Sequence, residues 1–319
     1  MIQHDAKTEA HADRKASVAI LMSTHNGIQY LGEQLNSIIR QSYPHWKIVV
    51  SDDGSYDGTL DTLRVYQRHL GPERMAITPG PCQGFSANFL SLVCDSSIDA
   101  DFYAFCDQDD LWHSDRLERA LEWLEQIPAG QPALYCGRTH LIDRQARHLG
   151  LSPLFTRPPT FSNALVQSLA GGNTMLFNRA ARALLAEAGR LPIVSHDWWA
   201  YMLVSGAGGQ VRYDASPSID YRQHDANLIG ANSSLTDRLY RLRRMFAGHF
   251  KQWNDINLDA LSRCQHLLTE QHRNTLQAFI AARRKTLVSR CRGVLEAGVY
   301  RQTLPGNLGL IAATLLGKI

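Results

Sequence analysis

The run Phe102-Tyr103-Ala104-Phe105-Cys106-Asp107-Gln108-Asp109-Asp110-Leu111-Trp112 carries an apolar strand pattern straight into three carboxylates within four positions. Carboxylates this close repel one another, so at a strand end at least one pKa rises or a cation is drawn in. Oxygen ligands with no His in the run suit Mg²⁺ or Mn²⁺ better than Zn²⁺. Such ions take one or two protein carboxylates together with substrate phosphates. The plain alternative is a solvated acidic turn that starts the next helix, with Asp110 and Ser114 as caps.

Two more polar clusters precede it, Ser23-Thr24-His25-Asn26 and Asp52-Asp53-Gly54-Ser55, each directly after an apolar run. In an open α/β sheet ligands bind beyond the carboxyl ends of the strands, so these loops should converge on Asp107 and Asp109. No G-x-G-x-x-G and no G-x-x-x-x-G-K-[ST] occurs, which disfavours a nucleotide-dependent dehydrogenase or a P-loop enzyme. A phosphate ligand here is expected to be held through a metal.

The elements that must position these loops follow from periodicity. Ser17 to Met22 reads as a buried strand, and Ile28, Leu31, Leu35, Ile38 and Ile39 recur at helical spacing. Trp46 to Ser51 is the next strand, which completes one βαβ unit. Asp57 to His69 and Phe85 to Val93 read as helices, Met75 to Thr78 and Phe102 to Cys106 as strands, and Leu117, Leu121 and Leu124 face the core from a helix capped by Ser114. Ala133 to Cys136, Thr174 to Phe177, Gln210 to Tyr213 and Ile219 to Arg222 read as further strands, and Asp197 to Val204 as a helix. Ser152 to Asn163 reads as a long mobile loop beside a substrate site. From Leu235 to Ala297 the pattern is helical, with Leu239, Leu242, Met245 and Phe246 on one face and Arg238, Arg241, Arg243 and Arg244 on others. The expected class is α/β, a mostly parallel sheet flanked by helices.

At 319 residues, 44% hydrophobic and 20% charged, the chain has the balance of an ordinary globular protein. Its six cysteines form no C-x-x-C pair, which suits reduced thiols rather than a zinc site or a disulfide framework. Met1 to Lys15 is polar and mixed in charge, unlike a secretory signal, and the longest late apolar run, Leu308 to Gly317, is about half of a membrane span. Residues 233–319 hold 14 Lys and Arg against 5 Asp and Glu, a balance of +9, which leaves −6 on the rest. A basic C-terminal third points to an anionic partner, with lipid head groups or nucleic acid as the candidates, or else to the solvated faces of ordinary helices. The organisation expected is a flexible tail over 1–16, a catalytic domain over 17–232 and a basic helical extension over 233–319.

Taken in order, Ser23-Thr24-His25-Asn26-Gly27, Asp52-Asp53-Gly54-Ser55 with Asp57-Gly58-Thr59 behind it, the D-x-D element Asp107-Gln108-Asp109, His196-Asp197-Trp198-Trp199 and Tyr221-Arg222-Gln223-His224 resemble the family 2 glycosyltransferases from Val18 to Gly230. The wording of the last three is similar to bacterial rhamnosyltransferases that build surface polysaccharides. The resemblance implies a GT-A type fold, a mixed sheet flanked by helices with a C-terminal helical extension, a nucleotide-sugar donor and inversion by direct displacement. It implies Mg²⁺ or Mn²⁺ held by Asp109 with Asp107 and His224, and Asp107 near the donor ribose. Asp53, with Asp52 beside it, would accept the N3 proton of a uracil or thymine, while Ser23, Thr24, His25, Asn26 and Gln108 would line the donor site. Arg222 and His224 would close over the diphosphate, and Asp197 would be the base on the acceptor side. The expected donor is dTDP-L-rhamnose, with a UDP-sugar next. The expected partner is a glycan or lipid-linked glycan acceptor and not nucleic acid, and the expected location is cytoplasmic, peripheral on the inner membrane. A metal-dependent phosphoesterase or nucleotidyltransferase and a non-catalytic sugar-binding scaffold are the rival classes.

Overall fold

The structure is a computed structural model that describes residues 15–224 and 249–319. The tail before Lys15 and the stretch holding Arg238, Arg241, Arg243 and Arg244 lie outside the described residues.

Strands β1 (Val18–Thr24), β2 (Trp46–Asp52) and β3 (Met75–Pro79) alternate with helices α1 (Ile28–Ile39), α2 (Thr59–Leu70) and α3 (Phe85–Cys94), and β4 (Phe102–Cys106) follows. A two-residue strand, β5 (Leu111–Trp112), leads into α4 (Arg116–Leu124), then β6 (Ala133–Gly137), β7 (His140–Ile142) and β8 (His148–Leu151). After the short α5 (Phe161–Ala164) come β9 (Leu176–Asn178), α6 (Arg179–Ala188), α7 (His196–Gly206), β10 (Gln210–Asp214) and β11 (Ile219–Arg222). The C-terminal part contains α8 (His249–Arg263), α9 (Glu270–Arg283), α10 (Leu287–Glu296) and α11 (Leu304–Leu315).

The main sheet runs β10-β6-β9-β4-β1-β2-β3 and is mixed, because β9 lies antiparallel between β6 and β4. Along β1 the side chains alternate between two buried faces. Val18, Ile20 and Met22 join α1, α2 and α4 in one core cluster, while Ala19 and Leu21 join α3, α6 and α7 in the other. Burial on both faces is why β1 reads as a continuous apolar run rather than an alternating one. Register pairs Thr24 with Asp52 and Met22 with Cys106, so the loops after β1, β2 and β4 leave the sheet along one edge. That convergence puts the three polar clusters of the sequence together.

A second sheet, β5-β11-β7-β8, sits beside this edge and was not expected from periodicity except for β11. Its strands β5 and β7 are two and three residues long, too short to show a period of two. The helix after it starts at Arg116 with Asp115 at the cap position and no side-chain cap bond, so Ser114 is not the cap expected. Asp110 is not a cap either. It is fully buried and accepts hydrogen bonds from Asn173 Nδ2 at 2.6 Å and the Arg222 backbone N–H at 3.1 Å. Of the loop expected over Ser152 to Asn163, residues 152–160 are irregular but Phe161 to Asn163 lie in α5, and the stretch is tied down at its far end: the Arg157 N–H donates to Gln302 Oε1, and the Thr160 hydroxyl donates to that of Tyr300. Leu258, Leu261, Phe279 and Leu310 of α8, α9 and α11 belong to the same core cluster as α7.

Candidate active site

A cleft of about 1330 Å³ opens at the edge where β1, β2 and β4 end, lined among others by Ser23, His25, Asn26, Asp53, Asp107, Gln108, Asp109, Asp197 and His224. Thr24, Asp52 and Arg222 stand behind its wall. Thr24 Oγ1 and Ser55 Oγ both donate to Asp52 Oδ2, at 2.8 and 2.6 Å, which fixes the turn after β2. Asp53 has its oxygens aimed at the next loop, accepting the Cys82 N–H at 2.6 Å and the Gly84 N–H at 2.9 Å. A carboxylate offers about four acceptor positions, so Asp53 retains capacity for a ligand N–H.

Gln108 holds the first loop with both ends of its amide. Its Oε1 accepts the His25 N–H at 2.9 Å and its Nε2 donates to the His25 carbonyl at 3.1 Å. The amide lies over Gly27, where a Cβ would come within 2.2 Å of it, so a side chain at this position of the opening motif would push the Gln108 amide off the His25 backbone. His25 Nδ1 is 3.0 Å from the Asp53 carbonyl, and its ring meets Tyr56 edge-on at 6.4 Å. Tyr56 is 86% exposed. Its exposed ring beside His25 is a feature that motif reading missed, although an aromatic inside the Asp-Gly-Ser-Tyr turn is a usable signal.

The acidic residues act on one another through their charges. Burial, then the charges of Asp109 and Asp197, push the Asp107 carboxyl up to about 8. Burial also raises Asp197, against opposing hydrogen bonds from Ser195, Trp198 and Gly172. Asp197 Oδ1 accepts the Ser195 hydroxyl and, at 2.6 Å, the Trp198 N–H. It lies inside the first turn of α7, and Ser195 takes the cap position. Oδ2 of Asp109 is 2.9 Å from His224 Nε2, and the His224 ring stacks on Tyr30 at 5.2 Å. Gly171 and Gly172 line the cleft next to Asp197.

His196, adjacent to Asp197, was quoted in the motif but given no role. It is buried, stacked on Phe89 at 3.8 Å, with neither ring nitrogen hydrogen-bonded, and burial pushes its pKa down to about 3. A neutral imidazole is therefore part of the cleft wall. Trp198 and Trp199 are core residues, with Trp198 Nε1 donating to the Ala164 carbonyl at 2.6 Å and its ring reaching the cleft.

A separate group, His113, His140 and Asp220, gathers in the second sheet. Nε2 of His113 and Nδ1 of His140 are 2.8 and 3.1 Å from Asp220 Oδ1, and the ligand atoms lie within 4.8 Å of one another, close enough to share a cation. Asp220 precedes Tyr221, which lines the cleft, so strand alternation turns it to the opposite face. The hydrogen bond to Asp220 raises the pKa of His113. Burial pushes Asp220 up, but the hydrogen bonds and charges of both His residues outweigh it and hold the carboxyl below its usual value. The His113 contribution to stability is complete below 6.5 and is lost as pH rises through the folded value. That of Asp220 is present above 3.8 and is lost as pH falls. Asp220→Asn should therefore cost about 1 kcal/mol in urea unfolding near pH 5.5 and measurably less near pH 8.5. An equal cost at both values would show the pair to be electrostatically neutral.

Comparison with known proteins gives the family and the fold. The dTDP-rhamnosyl transferase RfbG of Shigella flexneri is 28% identical over 235 residues, 69% of this chain and 78% of the relative. The uncharacterized glycosyltransferase RT0329 of Rickettsia typhi is 24% identical over 256 residues, 74% of this chain and 72% of the relative. Among solved structures, residues 1–349 of S. aureus TarS in complex with UDP-GlcNAc share the fold with a TM-score of 0.56 at 14% identity, covering 95% of this chain and 88% of that one. The fold is thus of the GT-A type expected, a mixed sheet flanked by helices with further helices at the C-terminus. The glycosyl transferase family 2 model matches residues 19–185, more than half of the length and the segment that supplies every loop from Ser23 to Asp110, and the chain belongs to that family.

Proposed function

We propose that this glycosyltransferase moves L-rhamnose from dTDP-L-rhamnose onto a lipid-linked or growing surface glycan such as O-antigen, with inversion at the anomeric carbon. The observation that carries the reading is the meeting of Asp107, Asp109 and Asp197 in one cleft next to the Asp53 and His25 loops. The likeness to RfbG supports the choice of sugar.

The donor set fits a hard divalent cation, because a buried carboxylate raised by its neighbours is stabilised when a positive charge replaces its proton. Asp107, Asp109 and His224 are the residues that would hold Mg²⁺ or Mn²⁺, with the imidazole favouring Mn²⁺. When bound, such an ion offsets the charge of the departing nucleoside diphosphate, an effect worth several kcal/mol. Asp53 accepts the N3 proton of the thymine, and His25 with Tyr56 presents ring surface to the base. On the acceptor side Asp197 takes the hydroxyl proton as the new C1–O bond forms and the bond from C1 to the diphosphate oxygen breaks. Its raised pKa makes it a stronger base than an exposed carboxylate.

Equilibrium binding of dTDP, UDP, GDP and CMP, each with and without Mn²⁺, tests this on the wild type and on Asp109→Ala. The expected result is Mn²⁺-dependent binding of dTDP that weakens at least about tenfold in the variant, the loss of one charge-assisted contact. Preference for UDP would move the donor to a UDP-sugar. No nucleotide binding under any condition would sink the transferase reading in favour of a scaffold.

A further inference from the structure

Of the fourteen large apolar side chains that stand exposed among the described residues, eight lie between Leu287 and Leu316. Those of α11 form a stripe: Leu304, Leu308, Ile311 and Leu315, spaced four, three and four residues apart, are each at least 51% exposed. That spacing puts them on one helix face, while Leu310, Ala313 and Thr314 on the opposite face are buried. Val288 and Leu295 of α10, seven residues apart and both 80% exposed, add a second apolar line. The two helices are tied together by Arg290, whose Nε donates to the Thr314 carbonyl at 2.7 Å and Nη2 to that of Leu315 at 3.3 Å. Between Gln302 and Leu316 there is no ionisable residue, yet residues 284–319 carry six Lys and Arg against one Glu.

We propose that this face of α10 and α11 seats in the interfacial layer of an anionic phospholipid bilayer, with Arg284 and Lys285, exposed just before α10, on the lipid phosphates. An apolar stripe rimmed by cations matches a surface that offers hydrocarbon below and negative charge above. A second copy of the chain is a poorer fit, because it would set these cations against their own images. Spanning is excluded for α11 by length: twelve residues at about 1.5 Å each reach about 18 Å, against a hydrocarbon core of about 30 Å. No helix among the described residues is long and apolar enough to cross a membrane. The stripe starts three residues after Arg301, which lines the cleft, so docking holds the cleft within about 10 Å of chain from the lipid surface. This deepens the reading that the acceptor is lipid-linked and rests on it for its purpose, though vesicle binding itself does not.

The test is co-sedimentation of the full chain with phosphatidylcholine vesicles and with vesicles of phosphatidylcholine and phosphatidylglycerol, for the wild type and for Leu304→Ser/Leu308→Ser/Ile311→Ser. Truncation would confuse the result, since α8 and α9 supply Leu258, Leu261 and Phe279 to the core. The wild type is expected to bind the anionic vesicles, more weakly as salt rises, and the triple variant to bind them roughly a hundredfold more weakly with its dTDP affinity unchanged. Equal sedimentation of the two proteins, absence of wild-type binding, or a dimer that the triple variant abolishes without any vesicle binding would overturn the proposal. Vesicle binding by a wild type that binds no nucleotide would uphold the surface and reject the catalytic reading instead.

Discussion

In Asp197→Asn, glycosyl transfer is expected to slow by about 10²–10⁴-fold, while Mn²⁺-dependent dTDP affinity stays within about threefold of the wild type. The substitution keeps the shape of the side chain and an oxygen that can accept from Ser195 and the Trp198 N–H. It removes the negative charge and with it the ability to take up a proton. Because the Asp197 charge is one of the causes that lift Asp107, the variant also lets Asp107 fall back toward its ordinary value, so donor binding is not weakened electrostatically. A phosphoesterase working through Asp107 and Asp109 would be nearly indifferent to this change. Transfer at more than about a third of the wild-type rate would remove Asp197 from the role of base, and loss of dTDP binding with loss of rate would make it a structural residue instead.

How far the sequence carries this argument depends on the range of each interaction. The convergence of Ser23, Asp53 and Asp107 was legible because strands buried on both faces announce themselves as apolar runs, and a parallel sheet sends the following loops to one edge. Asp197 was legible only as a motif, since on spacing alone an Asp near a helix start reads as a cap. Ser195 in fact takes that position. Asp52 and Thr24 show the opposite case. Their types suggested a donor site, but the two side chains, with Ser55, are joined by hydrogen bonds across 28 residues and stand behind the cleft wall. The second sheet was hidden because strands of two and three residues carry no period, and Asp110 was misread because its partners, Asn173 and Arg222, are 63 and 112 residues away. The C-terminal helices showed their charge and the short apolar end from Leu308 to Ile319, which resembles an interfacial segment, but not which side of it is exposed, because that depends on which side packs against the core.

Arg222 carries the largest expected effect on stability. Its side chain is 1% exposed; Nε donates to the Asp109 carbonyl at 3.0 Å, Nη1 to that of Arg144 at 3.0 Å, and Nη2 meets Glu33 Oε2 at 2.5 Å, while the guanidinium lies 4.5 Å from the centre of the Tyr30 ring. Removing it takes the donor from two part-buried carbonyls, and the larger cost is the void left where a long, fully buried side chain was packed. Arg222→Ala should therefore lose about 3–5 kcal/mol in urea unfolding. Arg222→Lys should recover less than half of that, because an ammonium is a point donor and cannot span three acceptors set around a planar fork. Tyr30 also stacks on His224, and His224 meets Asp109, so the same guanidinium orients two of the residues expected to hold the cation. In Arg222→Lys, Mn²⁺-dependent dTDP binding should weaken more than that of dTDP alone. If both fall equally, Arg222 supports the fold of this edge without positioning the site, and if neither stability nor binding changes, the fork is redundant with the backbone bond between Arg222 and Asp110.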